Sequence, residues 1–111
     1  MALEALWAVT FIASARNLGG GIVVFETERV FGGDSNYYYV GSYKATGNDI
    51  TAEVAIIHHT GPYSKLFGPL PRVDLTVKGT RQGKSILGEC TAVHHPSLKV
   101  RIQLKHLQDL S

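Results

Sequence analysis

Alternation is the feature that most constrains this chain. Leu98, Val100, Ile102 and Leu104 are separated by Lys99, Arg101, Gln103 and Lys105. Val73, Leu75 and Val77 interleave in the same way with Asp74, Thr76 and Lys78. A period of two puts apolar side chains on one face of a strand and polar ones on the other. Helical spacing is nearly absent, and its only candidate is a single turn around Ser64-Lys65-Leu66-Phe67.

Glycine supplies the punctuation between apolar segments. Leu6 to Ser14 reads as a first strand. Gly19-Gly20-Gly21 reads as a bent turn leading into Ile22 to Glu26. Arg29-Val30-Phe31 follows and is stopped by Gly32-Gly33-Asp34. Asn36 to Ala45 carries Tyr37, Tyr38, Tyr39 and Tyr43, and aromatic residues favour strands. Thr46-Gly47-Asn48-Asp49 is a hairpin turn, after which Ile50 to His59 alternates. Gly61 to Pro71 is the longest break, with three of the four prolines. Val73 to Lys78, Ser85 to His94 and Leu98 to Leu104 complete eight strands. Short connections predict an all-β, up-and-down antiparallel barrel, with at most one short helical turn in the 61–71 loop. A sandwich of two sheets is the alternative. An eight-stranded barrel is either filled by side chains or holds one small ligand.

With 111 residues, the chain predicts a single domain spanning 1–111 with one core. It is 44% hydrophobic and 18% charged, too apolar for a disordered chain. Apolar runs such as Ile22-Val23-Val24-Phe25 fall far short of the ~20 residues of a membrane helix. The first residues show neither the basic nor the long apolar region of a secretory leader. Cys90 is the single cysteine, which fits a reducing cytoplasm and a core position. The net charge of +2 predicts a mixed, solvated surface, with neither nucleic acid nor membrane as a partner.

Up-and-down topology gathers the ends of the odd strands at one rim. That rim carries Gly32-Gly33-Asp34, His58-His59, the 61–71 loop and His94-His95. Parity turns His58 and His94 toward the interior, where imidazole can bind metal or titrate. Two ligands fall short of a stable zinc site, and rim histidines bonded to water or backbone are the plainer reading. Tyr37, Tyr39 and Tyr43 share one face and either line a ligand cavity or fill the core. Leu66, Phe67 and Leu70 form an apolar loop suited to a partner contact or to plugging the barrel mouth. No spacing suggests a catalytic set, and no cofactor is expected.

Trp7 to Ile12, Gly19 to Val24, Val30-Phe31-Gly32-Gly33-Asp34 and Tyr39-Val40-Gly41-Ser42-Tyr43 together resemble the GrlR family. That family is named for a negative regulator of bacterial type III secretion. The likeness runs through Leu104, and the Gly-Gly-Asp with the following Gly41 is its most specific part. It implies a calycin-like eight-stranded barrel in the cytoplasm. It also implies a capacity to dimerise, and action by sequestering a protein rather than by chemistry. An acidic run before the fifth strand serves partner capture in the named regulator. The matching stretch Ala45-Thr46-Gly47-Asn48-Asp49 keeps only the charge of Asp49. The leading expectation is a non-enzymatic regulatory or interaction protein with a protein partner, a second copy being one candidate. The alternative is a small-molecule or lipid-binding barrel. An enzyme using His58 and His94 ranks third.

Overall fold

The alternating segments fold into eight strands: β1 (Ala5–Ala13), β2 (Arg16–Glu26), β3 (Arg29–Gly33), β4 (Tyr37–Thr46), β5 (Asp49–His58), β6 (Arg72–Gln82), β7 (Ser85–Ala92) and β8 (His95–Asp109). The structure is a computed structural model that describes residues 3–13, 16–64 and 67–110, with the side chains of 13 and 16–18 left out. Each strand pairs antiparallel with its sequence neighbours, and β1 also pairs with β8. The sheet therefore closes into the expected all-β, up-and-down, calycin-like barrel. Among the described residues, closure leaves no strand at an open sheet edge.

Residues directly opposite in a ladder point to the same face. The pairs Trp7↔Val23, Gly32↔Tyr39, Tyr39↔Ile56 and Ile56↔Val73 carry one inner face around the wall. Its aromatic members are Trp7, Phe11, Phe25, Tyr37, Tyr39 and Tyr43, all from β1, β2 and β4. Strands β5 to β8 supply aliphatic partners such as Ile50, Leu75, Ile86, Val100 and Leu104. Burying each such side chain stabilises the fold by about 1.5–3 kcal/mol.

Large rings fit a small barrel only where the wall bends sharply. Gly41 faces inward between Tyr39 and Tyr43, and a Cβ there would lie 2.0 Å from the Glu53 carbonyl oxygen. Gly32 is equally tight, its Cβ position 2.0 Å from the Ile22 carbonyl oxygen. Only glycine allows β3 and β4 to approach their neighbours this closely.

Gly32 and Gly33, read as the stop after the third strand, pair inside β3, and two further boundaries differ from the sequence reading. Gly19-Gly20-Gly21 lies inside β2 rather than in a turn. The ladder with β1 shifts register between Thr10 and Ile12, and Gly19 takes φ +110° beside that irregularity. Glycine here serves a bulge and a close backbone approach. At the other difference, β7 ends at Ala92 and the chain reverses at Val93-His94. Thr91 faces Lys99 whereas Ala92 faces His95, so Pro96, Ser97 and Leu98 bulge out of β8. Proline is tolerated there because a bulge needs no ladder donor.

In the long loop, Gly68 N–H donates to the Ser64 carbonyl at 2.9 Å. The single helical turn expected around Ser64-Lys65-Leu66-Phe67 falls on residues 65 and 66, which lie outside the described residues.

Candidate functional site

At the rim holding the ends of the odd strands, Asp34 organises the exit from β3. Its Oδ1 accepts the backbone N–H of Asn36 and of Tyr37, each at 2.9 Å. Its Oδ2 accepts the Tyr39 hydroxyl. The Gly-Gly-Asp motif thereby gains a physical reading. Gly32 lies opposite Tyr39 in the ladder, Gly21 leaves room for the Tyr39 hydroxyl, where a Cβ would come within 2.8 Å, and Asp34 receives that hydroxyl. Burial first, and the bond to Asp34 second, hold the Tyr39 phenol protonated well above its ordinary range.

The long loop is fastened over this rim. Ser64 N–H donates to the Tyr37 hydroxyl at 2.7 Å, and His58 N–H to the Pro71 carbonyl at 2.9 Å. The His58 Nε2–H donates to the Gly61 carbonyl at 2.7 Å, which fixes the proton on that nitrogen. The same imidazole stacks on Tyr63 at 4.3 Å and meets Tyr37 edge-on at 5.3 Å. Phe67 turns inward and packs edge-on against Phe11 at 6.0 Å and against Tyr37 at 6.2 Å.

These contacts change the standing of several expected site residues. Phe67 is buried and plugs the mouth, so in this arrangement it offers no outward contact surface. Leu70 is half-buried and packs on the core beneath it. Leu66 lies outside the described residues. Asp49 is exposed at the start of β5, a full strand length from the plug, so the fold does not bring it together with Phe67 and Leu70. Tyr37, Tyr39 and Tyr43 are all buried in the core. His94 does not turn inward with His58. The early end of β7 leaves it in the reversal, with its side chain 77% exposed and 4.0 Å from Asp74. Among the described residues, no group of three or more His, Cys, Asp or Glu side chains is placed to hold a metal ion.

The barrel interior is nearly full. Its cavity measures about 60 Å³ and lies among Val9, Phe25, Tyr39, Leu75 and Cys90. Small-molecule sites usually span about 300–1,000 Å³. The Cys90 thiol at this cavity is pushed up to about 12, chiefly by burial and secondarily by Glu89. At the opposite end, Trp7 is fully buried and its indole N–H donates to the Leu3 carbonyl at 3.0 Å. Arg81 and His106 cover that ring, at 5.6 Å and 5.3 Å from its centre.

Open space lies instead at the rim and on the outer wall. A rim cleft of about 350 Å³ opens beside Asp34, between Phe11, Tyr37, Tyr63 and Phe67. On the exterior, two cross-strand rows are apolar. One runs Leu6–Val24–Phe31–Val40–Ala55, and the other runs Ala8–Ile22–Gly33–Tyr38–Ile57. Ile22, Phe31 and Tyr38 keep 39%, 40% and 42% of their surface in solvent. Beside Phe31 lies an outer groove of about 650 Å³, with Val40 and Ala55 on its floor and Val93 at its far side. Arg29, Glu53 and Arg72 also line it.

These rows were missed in the sequence because alternation was used to find the core, and outward apolar residues were left unassigned. The continuous run Ile22 to Phe25 was the available signal, since a strand apolar on both faces meets something on both. Neither a protein-family model nor a curated protein matches this chain.

Proposed function

We propose that this protein is a non-enzymatic regulatory or interaction domain that binds a protein partner through the outer face of β1–β5. The observation that carries this reading is the pair of apolar exterior rows on a barrel whose interior is already filled. Neighbouring exposed apolar residues such as Ile22, Phe31 and Tyr38 are the kind of feature that marks association surfaces. The adjoining groove adds a concave seat, and Arg29, Glu53 and Arg72 give it polar edges of both signs, the usual composition of an interface rim. The resemblance to the GrlR family through Gly32, Gly33, Asp34 and Gly41 supports binding in place of catalysis. Asp49, the one charge retained from that family's acidic turn, sits at the opposite end of β5 and acts as a secondary contact at most. A second copy of the chain is one candidate partner. The reading places the protein in the cytoplasm, where Cys90 stays reduced, with no role for membrane or nucleic acid.

Site-specific photocrosslinking tests it. Benzoylphenylalanine replaces Phe31 on the apolar side and, in a separate variant, Leu87 on β7. A discrete adduct is expected from position 31 and none from position 87. Equal labelling at both positions, or none at either, rejects the outer face as the binding surface.

A further inference from the structure

The rim cleft has a chemistry of its own, independent of the outer face. Four of its lining residues are aromatic, of which Tyr63 is exposed while Phe11, Tyr37 and Phe67 are buried in the mouth of the barrel. Asp34 is the single charged side chain among the described lining residues. Its hydrogen bonds come from neutral donors, two backbone N–H groups and the Tyr39 hydroxyl. Among the described residues, the carboxylate is thus held in place with no cationic side chain paired to it. Ring faces carry partial negative charge, and the Tyr37 hydroxyl oxygen already serves as an acceptor.

We propose that this cleft binds a small organic cation of the alkylammonium class. An anion would face the Asp34 carboxylate. A hard metal ion would need about six oxygen ligands in a compact cage, which these residues do not assemble. An alkylammonium ion has apolar surface to lay against a ring and a diffuse, weakly hydrated charge, so the exposed Tyr63 ring facing one fixed carboxylate suits it. The volume of about 350 Å³ admits a molecule of that size, unlike the interior. Tyr63 is the outermost wall, 46% exposed, and its ring is backed by the stacked His58 imidazole. His58 therefore acts as a positioning residue for that wall.

Choline is the probe, titrated into the intact protein and followed by amide NMR shifts. Saturable shifts are expected at Asn36, Tyr37 and Ser64. The neutral isostere 3,3-dimethylbutan-1-ol is expected to bind at least about tenfold more weakly, because it lacks the charge that the carboxylate and rings attract. Asp34→Asn removes that charge, and about tenfold weaker choline binding is expected. Should Asp34→Asn unfold the rim, Tyr63→Leu on the exposed wall serves instead, with about a fivefold loss. A trimethyllysine peptide binding more tightly than choline assigns the cation to a protein tail, and weaker binding assigns it to a free metabolite. Equal affinity for choline and its neutral isostere overturns the proposal. So do shifts confined to the outer face of β2–β4, or the absence of saturation.

Discussion

Strands β1–β5 carry continuous apolar rows on the outer face of the wall as well as the inner one, whereas the outer face of β6–β8 is mostly polar, with Leu87 and Leu107 as isolated exposed apolar residues. Outside, Leu6, Ile22, Phe31, Val40 and Ile57 stand against Lys78, Glu89, Lys99, Arg101 and Lys105. Inside, the division falls one strand earlier, with rings on β1, β2 and β4 and aliphatic chains on β5–β8. The polar exterior of β6–β8 is what a barrel alone in water requires. The apolar exterior of β1–β5 exceeds that requirement, and the excess is what points to a partner. The aromatic side also needs the tighter backbone, since Gly32 and Gly41 both lie there.

Each side of the interior holds one weak acid kept neutral, Tyr39 on the aromatic side and Cys90 on the aliphatic side. Alkali should therefore produce the largest loss of stability. In the unfolded chain a thiol ionises near pH ~8.5 and a phenol near ~10. The folded thiol holds its proton to about 12. Across that window the unfolded state binds fewer protons than the native state, so stability falls as pH rises, by about 1.4 kcal/mol per pH unit per group. For Cys90, over about 3.5 pH units, the total is about 5 kcal/mol. Urea unfolding at pH 7, 9 and 10.5 measures it. Cys90→Ala should flatten the slope between pH ~8.5 and ~10 and leave the phenol's contribution above it. An unchanged slope in that variant would mean that the thiol is not shielded as the core packing requires.

Backbone tightness on the two sides is compared by one methyl group. Gly41→Ala drives a Cβ to 2.0 Å from the Glu53 carbonyl oxygen, against backbone that cannot yield without opening β4 from β5. Gly88→Ala on the aliphatic side brings its Cβ to 2.8 Å from the Lys78 carbonyl oxygen. Expected losses are about 3 kcal/mol or more at Gly41 and about 1 kcal/mol at Gly88. Chemical denaturation of both variants gives the order, and equal losses would erase the difference in curvature. Tyr39→Phe follows at about 1–2 kcal/mol, because the Asp34 carboxylate then loses a partner in a half-buried position. A thermal midpoint equal to that of the parent would show that the Tyr39–Asp34 bond adds nothing to the rim.

Most of the wall was legible in the sequence. Alternation in Val73–Lys78 and Leu98–Lys105 identifies strands whose inner and outer faces differ in polarity. Glycine and asparagine at 47 and 48 mark a tight reversal, and Gly47 does take φ +59° there. What failed was the reading of glycine and proline as turns wherever they occur. Gly19 to Gly21 serve close strand approach, and Pro96 sits in a bulge, so the actual reversal falls at Val93-His94. That error moved His94 from an exposed reversal to an inward position and paired it with His58. Asp34 was legible as a turn residue, but its bond to Tyr39 was not. That bond depends on inner space left by Gly21 two strands away, which only pairing register defines.

The smallest expected effect lies on the seam between the two sides. Arg72 and Asp74 on β6 form an ion pair at 3.0 Å, with side chains 60% and 35% exposed. Charges so open to water gain little from pairing, and holding two side chains in one geometry costs entropy. Arg72→Ala should therefore change stability by no more than about 0.5 kcal/mol. Because Arg72 also lines the outer groove, the same variant should weaken partner association while leaving the unfolding midpoint in place. A stability loss well above 1 kcal/mol would instead make the seam part of the structural wall. The line between the two sides would then fall at β7, and the groove would be a by-product of packing in place of a contact surface.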